Sequence, residues 1–398
     1  MKRILIRRTP MLILAALITS LLLAACGGSS SSSSSSTATG SVANETTTNE
    51  TTESSEPAGI VPEPPLQAPT EVEFSQPLKK AAPPHQKIAW LACELPICQG
   101  ALSKGYHEAG EALGWEIEQI NYNAADPSSI AKSMQQALDN NADGIAITGI
   151  PPVLFEQQAK EAIKKGVPIV SCSDVTEPEP KTNGLYLQCG NGPAVKNEGE
   201  ELGNWSINHT EGKAKIVAVT IEEYAVLGEE VKGLEASANK CGSECSVATI
   251  PVTISEFGEG KVPNKLIAYL QSNPETNVVC FTFSDLAEGS YAALKGAGLG
   301  EDLLLVGAAA SPTNLTEITE GKQNAWTIQP EKMQGWMSID VLARVATGTP
   351  IEKYEEEGKF PTWVAGEKAT AESILNEYEG EWPGPEGFQE KFEELWGV

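Results

Sequence analysis

Basic residues are scarce in this sequence: 28 Lys and Arg stand against 54 Asp and Glu, for a net charge of −26 over 398 residues. That balance excludes sequence-independent binding to nucleic acid or to anionic lipid, both of which need a basic surface. Histidine is rarer still, with only His85, His107 and His209. A multi-histidine metal site or a histidine-centred catalytic network has too little material, and no histidine falls at a strand end where it could serve a nucleophile. A Gly-x-Ser-x-Gly elbow is absent. Gly296-Ala297-Gly298-Leu299-Gly300 imitates a nucleotide loop, but it follows a helical segment and enters a strand, the reverse of the order a pyrophosphate needs. It reads as a helix stop. Cys241 and Cys245 lack the second ligand pair that zinc would require. The expectation is a chain that is not an enzyme and carries no metal and no cofactor.

The longest apolar stretch, Met11 to Ala25, is broken only by Thr19 and Ser20 and is too short to span a bilayer, which takes about 20 residues. With Lys2, Arg3, Arg7 and Arg8 before it, the stretch reads as a secretion signal over residues 1–25. It ends in Leu23-Ala24-Ala25-Cys26-Gly27, which resembles the bacterial lipobox, with Cys26 the lipidated first residue of the mature chain. The alternative is ordinary signal cleavage with Cys26 incidental. Removal of the signal leaves 24 basic residues against 54 acidic ones, or −30. Residues 26–85 are rich in Ser, Thr and Pro and open with an eight-serine run, Ser29 to Ser36. Such composition buries little apolar surface, so they read as a disordered tether. The protein is therefore expected in the cell envelope, lipid-anchored on the outer face of the cytoplasmic membrane or in the periplasm.

From Lys87 onward short apolar runs alternate with helical spacing. Strands are expected at Ile88–Ala92, Glu116–Asn121, Gly144–Thr148 and Val167–Ser171, with helices at Ser103–Gly114, from Asp126-Pro127, and at Pro151–Lys165. The pattern restarts near Lys215. Strands are expected at Ile216–Thr220, Val247–Val252, Asn277–Phe281, Leu303–Gly307 and Trp326–Ile328, with helices at Val226–Lys240, Asn264–Gln271, Leu286–Ala297 and Glu331–Ala346. This predicts an α/β fold of two Rossmann-like lobes, each with a parallel sheet flanked by helices. The last 30 or so residues are acidic and carry Trp382, Phe388, Phe392 and Trp396. Two readings are open for residues 366–398, an added helix packing by its aromatics or a solvated tail.

In open parallel sheets ligands sit beyond the carboxyl ends of the strands. The residues there are Glu94, Cys98 and Gln99, then Thr148, then Ser173 and Asp174; in the second half they are Glu222, Glu223 and Tyr224, then Phe283, Ser284 and Asp285, then Gln329. Acceptors, amides and rings of this kind suit a polar small molecule. Asp285 also fits a helix cap, and Glu222 and Glu223 also fit a solvated loop, so the expectation rests on the shared position. Export favours disulfides over zinc. The candidate pairs are Cys241 with Cys245, Cys172 with Cys189, and Cys93 with Cys98, leaving Cys280 as a buried thiol inside an apolar strand.

The order of elements resembles the type I periplasmic binding proteins, the ribose- and galactose-binding group of ABC-transporter receptors, over about residues 86–365. The matching stretches are Leu102-Ser103-Lys104-Gly105 through Leu113-Gly114-Trp115, Gly144 to Thr148, Gly166 to Val170, Asn273-Pro274 with Phe281 to Asp285, Leu305-Val306-Gly307, and Thr327-Ile328-Gln329 with Gly335. The resemblance implies two lobes joined by three crossovers that close over a solute. It places the crossovers near Asn191, at Gln329-Pro330 and near Gly348-Thr349-Pro350. One lobe is then 86–191 plus 330–348, the other 192–329 plus 349–365, with 366–398 an acidic extension. It implies a monomer that hands a small polar ligand to ABC permease subunits in the membrane; a sensory receptor of the same fold is the alternative. Gln329 matches a family hinge glutamine. Ser284 stands where asparagine is usual, Ser173-Asp174 replaces an Asp-Arg pair, and Ala308-Ala309-Ala310 replaces an expected aspartate. The paired aromatics of the first loop are absent around Pro96 to Gln99, and the sugar-clamping arginine has no counterpart near Glu229 and Glu230. The family points to a sugar. Retained acids without the arginine equally suit an amine-bearing solute.

Overall fold

Apolar runs of four to seven residues, bracketed by amphipathic helices, fold here into two separate sheets. The computed structural model describes residues 61–71, 76–186, 189–351 and 360–398. The expected signal over residues 1–25, Cys26 and the serine-rich stretch lie outside the described residues.

In the first half the elements are β1 (Lys87–Cys93), α1 (Pro96–Gln99), α2 (Ala101–Leu113), β2 (Glu116–Tyr122), α3 (Pro127–Asp139), β3 (Gly144–Thr148), α4 (Glu156–Lys165) and β4 (Ile169–Cys172). Their strands form a parallel sheet in the order β2-β1-β3-β4. Asp126 caps α3 by accepting from the Ser128 N–H at 2.9 Å, and Pro127 takes the first-turn position that needs no N–H. Gly166 ends α4 in the left-handed conformation, φ +73°, and β4 starts two residues later than expected, after Pro168.

The second half runs α5 (Gly192–His209), β5 (Lys215–Ile221), α6 (Leu227–Cys241), β6 (Ser246–Val252), α7 (Ile254–Gly258), α8 (Val262–Ser272), β7 (Val278–Phe281), α9 (Ser290–Gly296), β8 (Leu304–Gly307), α10 (Pro312–Thr319) and β9 (Ala325–Ile328). Then come α11 (Glu331–Thr347), β10 (Trp363–Ala365), α12 (Lys368–Tyr378) and α13 (Phe388–Trp396). The second sheet has the order β10-β9-β8-β7-β5-β6, parallel except for β10, which runs against β9. The helix expected over Leu286–Ala297 is interrupted: a 3-10 turn at Ser284–Ala287 gives way to α9 at Gly289, φ +71°. Pro152–Phe155 likewise forms a 3-10 turn ahead of α4.

Helix pairs approach through glycine in both halves. A Cβ on Gly105 of α2 would lie 2.1 Å from the Lys332 carbonyl oxygen on α11. One on Gly199 of α5 would lie 2.1 Å from the Glu230 carbonyl oxygen on α6, and one on Gly233 of α6 2.1 Å from the Lys196 carbonyl oxygen. Only glycine permits backbones this close. α5 had no place among the expected elements. It is buried on most of its circumference, so its sequence shows little of the polar–apolar contrast that marks a surface helix.

Two expectations about the chain ends are corrected. The tether does not extend to residue 85: Val61 is buried against the second lobe, and the Val364 N–H donates to the Pro65 carbonyl at 2.7 Å. Residues 76–85 lie on the first lobe, where Leu78 N–H donates to Leu395 O at 2.8 Å and Trp115 Nε1 donates to Pro83 O at 2.8 Å. Proline-rich backbone has few N–H groups to satisfy, so it can lie extended on a surface without joining a sheet. The solvated-tail reading of 366–398 also fails, for this stretch carries two packed helices. α12 and Trp382 pack with Trp363 of the second lobe, the rings 6.0 Å apart. α13 sets Phe388, Phe392 and Trp396 against Trp336 of the first lobe, with ring centroids 5.3 to 6.1 Å apart. The chain thus passes between the lobes once more, over residues 379–387. Beneath α13 the buried pair Arg344–Asp340, at 2.6 Å, also accepts Trp396 Nε1 on Asp340 and donates to the carbonyls of Gln76 and Pro350. Among the described residues no helix is long and apolar enough to cross a membrane.

Candidate ligand-binding cleft

The carboxyl ends of both sheets face one cavity of about 880 Å³, counting its open side. From the first lobe, the loop after β1 is closed by the Cys93–Cys98 disulfide, which folds α1 into a single turn and turns Leu95, Ile97 and Cys98 toward the cavity. The ends of β3 and β4 supply Thr148, Ile150 and Ser173. From the second lobe come Tyr224, Val226 and Leu227 after β5, Thr282 and Phe283 after β7, and Ala308 and Ala309 after β8. Ser173 and Ala309 both hold left-handed backbone, φ +54° in each, at matching strand ends. Such conformations cost non-glycine residues of order 1 kcal/mol and concentrate at ligand sites. Across the cavity Tyr224 Oη donates to the Ala124 carbonyl at 3.0 Å, and Gly258 sits so near Ala125 that an added Cβ would fall 2.6 Å from the alanine's own.

Three carboxyl groups border this cavity, each from a different helix. Glu198 of α5 is fully buried; it accepts from Thr327 Oγ1 at 2.7 Å and from Gln329 Nε2 at 2.8 and 3.0 Å. Glu230, in the first turns of α6, is also fully buried; only the Cys280 thiol reaches its Oε1, at 3.6 Å, and its Oε2 has no partner. Glu331 opens α11 and is half-buried. Loss of water pushes the Glu198 carboxyl up to about 7, against the opposing bonds from Gln329 and Thr327. Burial, with Glu381, Glu198 and Asp285 adding to it, pushes Glu331 up to about 8. Glu230 is raised far above the carboxylate range by burial and then by Glu198. The α5–α6 contact at Gly199 brings Glu198 and Glu230 together.

No lysine or arginine among the described residues lines the cavity. Beyond Arg8 the sequence has a single arginine, Arg344, and it is buried in the first lobe. Among the described residues no group of three His, Cys, Asp or Glu could hold a metal ion. Gln334 of α11 donates to Ser173 Oγ at 3.2 Å and Thr148 Oγ1 at 3.4 Å, tying the ends of β3 and β4 to the helix.

Of the residues singled out from the sequence, Cys98, Thr148, Ser173, Tyr224, Phe283 and Gln329 line the cavity. Glu94, Gln99, Asp174, Glu222, Glu223, Ser284 and Asp285 do not. Glu94 and Glu222 are exposed, and Gln99 turns to β1 and β2, where its amide donates to Cys93 O on β1 and it accepts from Gln119 on β2 at 3.0 Å. Asp174 is buried and closes its own turn by accepting from Thr176 N–H at 3.0 Å. Ser284 is buried and donates to Asp285 at 3.1 Å. Sequence reasoning missed Glu198, Glu331 and Gln334 altogether and met Glu230 only as the place of an absent arginine. Their signals were there: Gly192-Pro193 as a helix start, Gly199-x3-Gly203 as a close-packing stripe, and Glu331 with Gln334 in the first turn after Gln329-Pro330. All three candidate cysteine pairs are disulfides, Cys93–Cys98, Cys172–Cys189 and Cys241–Cys245, and Cys280 is free and buried.

Residues 98–350 match the periplasmic binding protein domain. No curated relative matches the sequence. Among solved structures, a glucose-galactose binding protein from Geobacillus stearothermophilus is 18% identical with a TM-score of 0.60, covering 71% of this chain and 98% of its own. A carbohydrate transporter from Acidothermus cellulolyticus 11B, in complex with myo-inositol, is 19% identical with a TM-score of 0.60, covering 74% and 99%. The fructose-binding periplasmic domain of a hybrid two-component system is 19% identical with a TM-score of 0.60, covering 79% and 99%. At these identities the likeness establishes the fold. Together with the family match over well above half its length, it makes this chain a type I periplasmic binding protein.

Proposed function

We propose that this protein is a lipid-anchored receptor outside the cytoplasmic membrane that captures a small polar solute between its two lobes and delivers it to an ABC-type permease. The observation carrying the proposal is a single cavity walled by the strand ends of both sheets, with α11 and Gln329 at its base. A solute touching both walls stabilises the arrangement in which they meet, and that differential affinity is all that closure requires. Tyr224 with Ala124 and Gly258 with Ala125 are two of the points at which the lobes meet. Capture and release suffice for this role, and it assigns no catalytic residue. Cys26 is the proposed lipidation site and the residues before it the export signal. Sugars and polyols named with the structural relatives support a ligand of this size and polarity. Signalling to a membrane kinase would use the same closure, and one structural relative is a domain of a two-component system.

The test combines a thermal-shift screen of sugars, polyols, amines and amino acids on the full-length chain with membrane fractionation of Cys26→Ser. A binder raises the melting temperature by mass action, and the serine variant leaves the membrane. Absence of any shift, or a membrane-retained variant, contradicts the corresponding half of the proposal.

A further inference from the structure

Resting on that reading of the cleft as a solute site, we propose that its ligand is an organic cation. Its ammonium group would sit against Glu230, with Glu198 and Glu331 bordering the same cavity, and its carbon body along the apolar wall.

The acids are an unbalanced charge set. They project from three helices into one cavity, and no basic side chain of the described residues meets them there. Glu230 is the decisive member: it is 0% exposed, its Oε2 has no hydrogen-bond partner, and it borders the cavity. A buried carboxyl group left without donor or counterion is costly, and natural interiors retain one where something completes it. A protonated amine in the cavity would supply both a charge and N–H donors. The same chemistry opposes other solutes. A sugar needs donors as well as acceptors around each hydroxyl, and the amide and phenol donors at this cleft already serve protein acceptors: Gln329 on Glu198, Gln334 on Ser173, Tyr224 on Ala124. An anion or an amino acid would bring a carboxylate to a site with acids and no base. A bare metal ion is disfavoured because the acids do not converge into a ligand set.

The rest of the wall is hydrocarbon. Leu95, Ile97, Ile150, Val226 and Leu227 face the cavity with the ring of Phe283. That surface suits an alkyl or aryl body, and the ring can also face the cation. The remaining ionisable groups around the three acids are Glu201 on α5, Cys280 on β7, Asp285 after β7 and Glu381 in the chain leading to α13. None is basic, so none replaces the missing positive charge. With Glu198 raised to about 7 and Glu331 to about 8, an arriving cation displaces protons.

The test uses the full-length chain with paired probes that differ only in amine against hydroxyl: 2-phenylethylamine with 2-phenylethanol, and 1,4-diaminobutane with 1,4-butanediol. Glucose, ribose and myo-inositol are run beside them. Calorimetry is expected to show at least one amine binding tenfold or more tighter than its alcohol. The Glu230→Gln variant, with an unchanged circular dichroism spectrum, should lose tenfold or more. Should that variant fail to fold, Glu331→Gln, half-exposed at a helix start, gives the same reading. Equal affinity for amine and alcohol, or full affinity in a folded glutamine variant, overturns the proposal. Sugar binding without amine binding also overturns it but leaves the solute-receptor reading intact. No binding by any probe class overturns both.

Discussion

The two lobes share one architecture and both bring hydrocarbon to the space between them, but they differ in their buried acids. The first lobe's strand ends offer mainly hydrocarbon, a disulfide-closed loop and two hydroxyls. The second lobe adds two fully buried acids on α5 and α6, and the start of α11 adds a third. The arginine shows the same contrast. In the first lobe Arg344 is spent on Asp340, where the pair joins residues near both chain ends to α11. In the second lobe Glu198 and Glu230 lie near each other and hydrogen-bond only to neutral groups. The buried ion pair of the first lobe ties its elements together, whereas the buried acids of the second have no basic partner among the described residues.

This contrast is broken most directly on the structural side. Asp340→Ala should leave a buried guanidinium without its counterion and cost about 3–5 kcal/mol, read as a lowered denaturant midpoint. A loss under about 1 kcal/mol would mean that the pair is not what anchors the first lobe. On the second-lobe side, Gly233→Val should force α5 from α6, costing about 1–3 kcal/mol. It should also separate Glu198 from Glu230, so amine affinity falls even when measured on the folded fraction. Retained affinity would separate cleft chemistry from the glycine contact.

A smaller effect is expected for Gln329→Ala, which removes two of the three bonds holding Glu198. Ligand affinity should weaken about tenfold, or about 1.4 kcal/mol, with the far-ultraviolet spectrum unchanged; an unaltered affinity would remove Gln329 from the site. Protons give the next test. Folding raises Glu198 to about 7 and both Glu201 and Glu331 to about 8 from an ordinary value near 4.5. Between those limits the folded chain binds more protons than the unfolded one, so stability falls as pH rises. The melting temperature should be a few degrees higher at pH 5 than at pH 8, with a saturating amine narrowing the gap. A melting temperature that climbs across this range would contradict the burial of these acids. The smallest change belongs to the surface. Lys104→Ala removes exposed pairs to Glu379 and Glu381 and should move stability by less than about 0.5 kcal/mol.

What the sequence disclosed follows the same division. The strands were legible as short continuous apolar runs and the helices because half-buried helices display their period, and Thr148, Ser173, Phe283 and Gln329 fell at the cleft because strand ends converge there. Neighbours one residue away, such as Asp174 and Ser284, turn into their own loops, a choice made by local turn geometry that composition does not reveal. The acids escaped for a different reason. They come from helices, and α5 is enclosed on nearly all sides, so neither its existence nor the direction of Glu198 is written in its periodicity. The packed chain ends were hidden by composition. Proline-rich residues 61–71 and 76–85 look like a tether, yet they settle against surfaces built by distant parts of the chain.

The central claim is that the lobes close on a solute, and pulsed dipolar spectroscopy reads that closure directly. Spin labels at Val153→Cys, strongly exposed near the end of β3, and at Glu288→Cys, exposed on the opposite lobe, report the distance across the cleft. The account predicts a shorter and narrower distance distribution when a saturating amine such as 2-phenylethylamine is added, with no change on adding 2-phenylethanol. A distribution unaffected by every amine, sugar and polyol tested would contradict it.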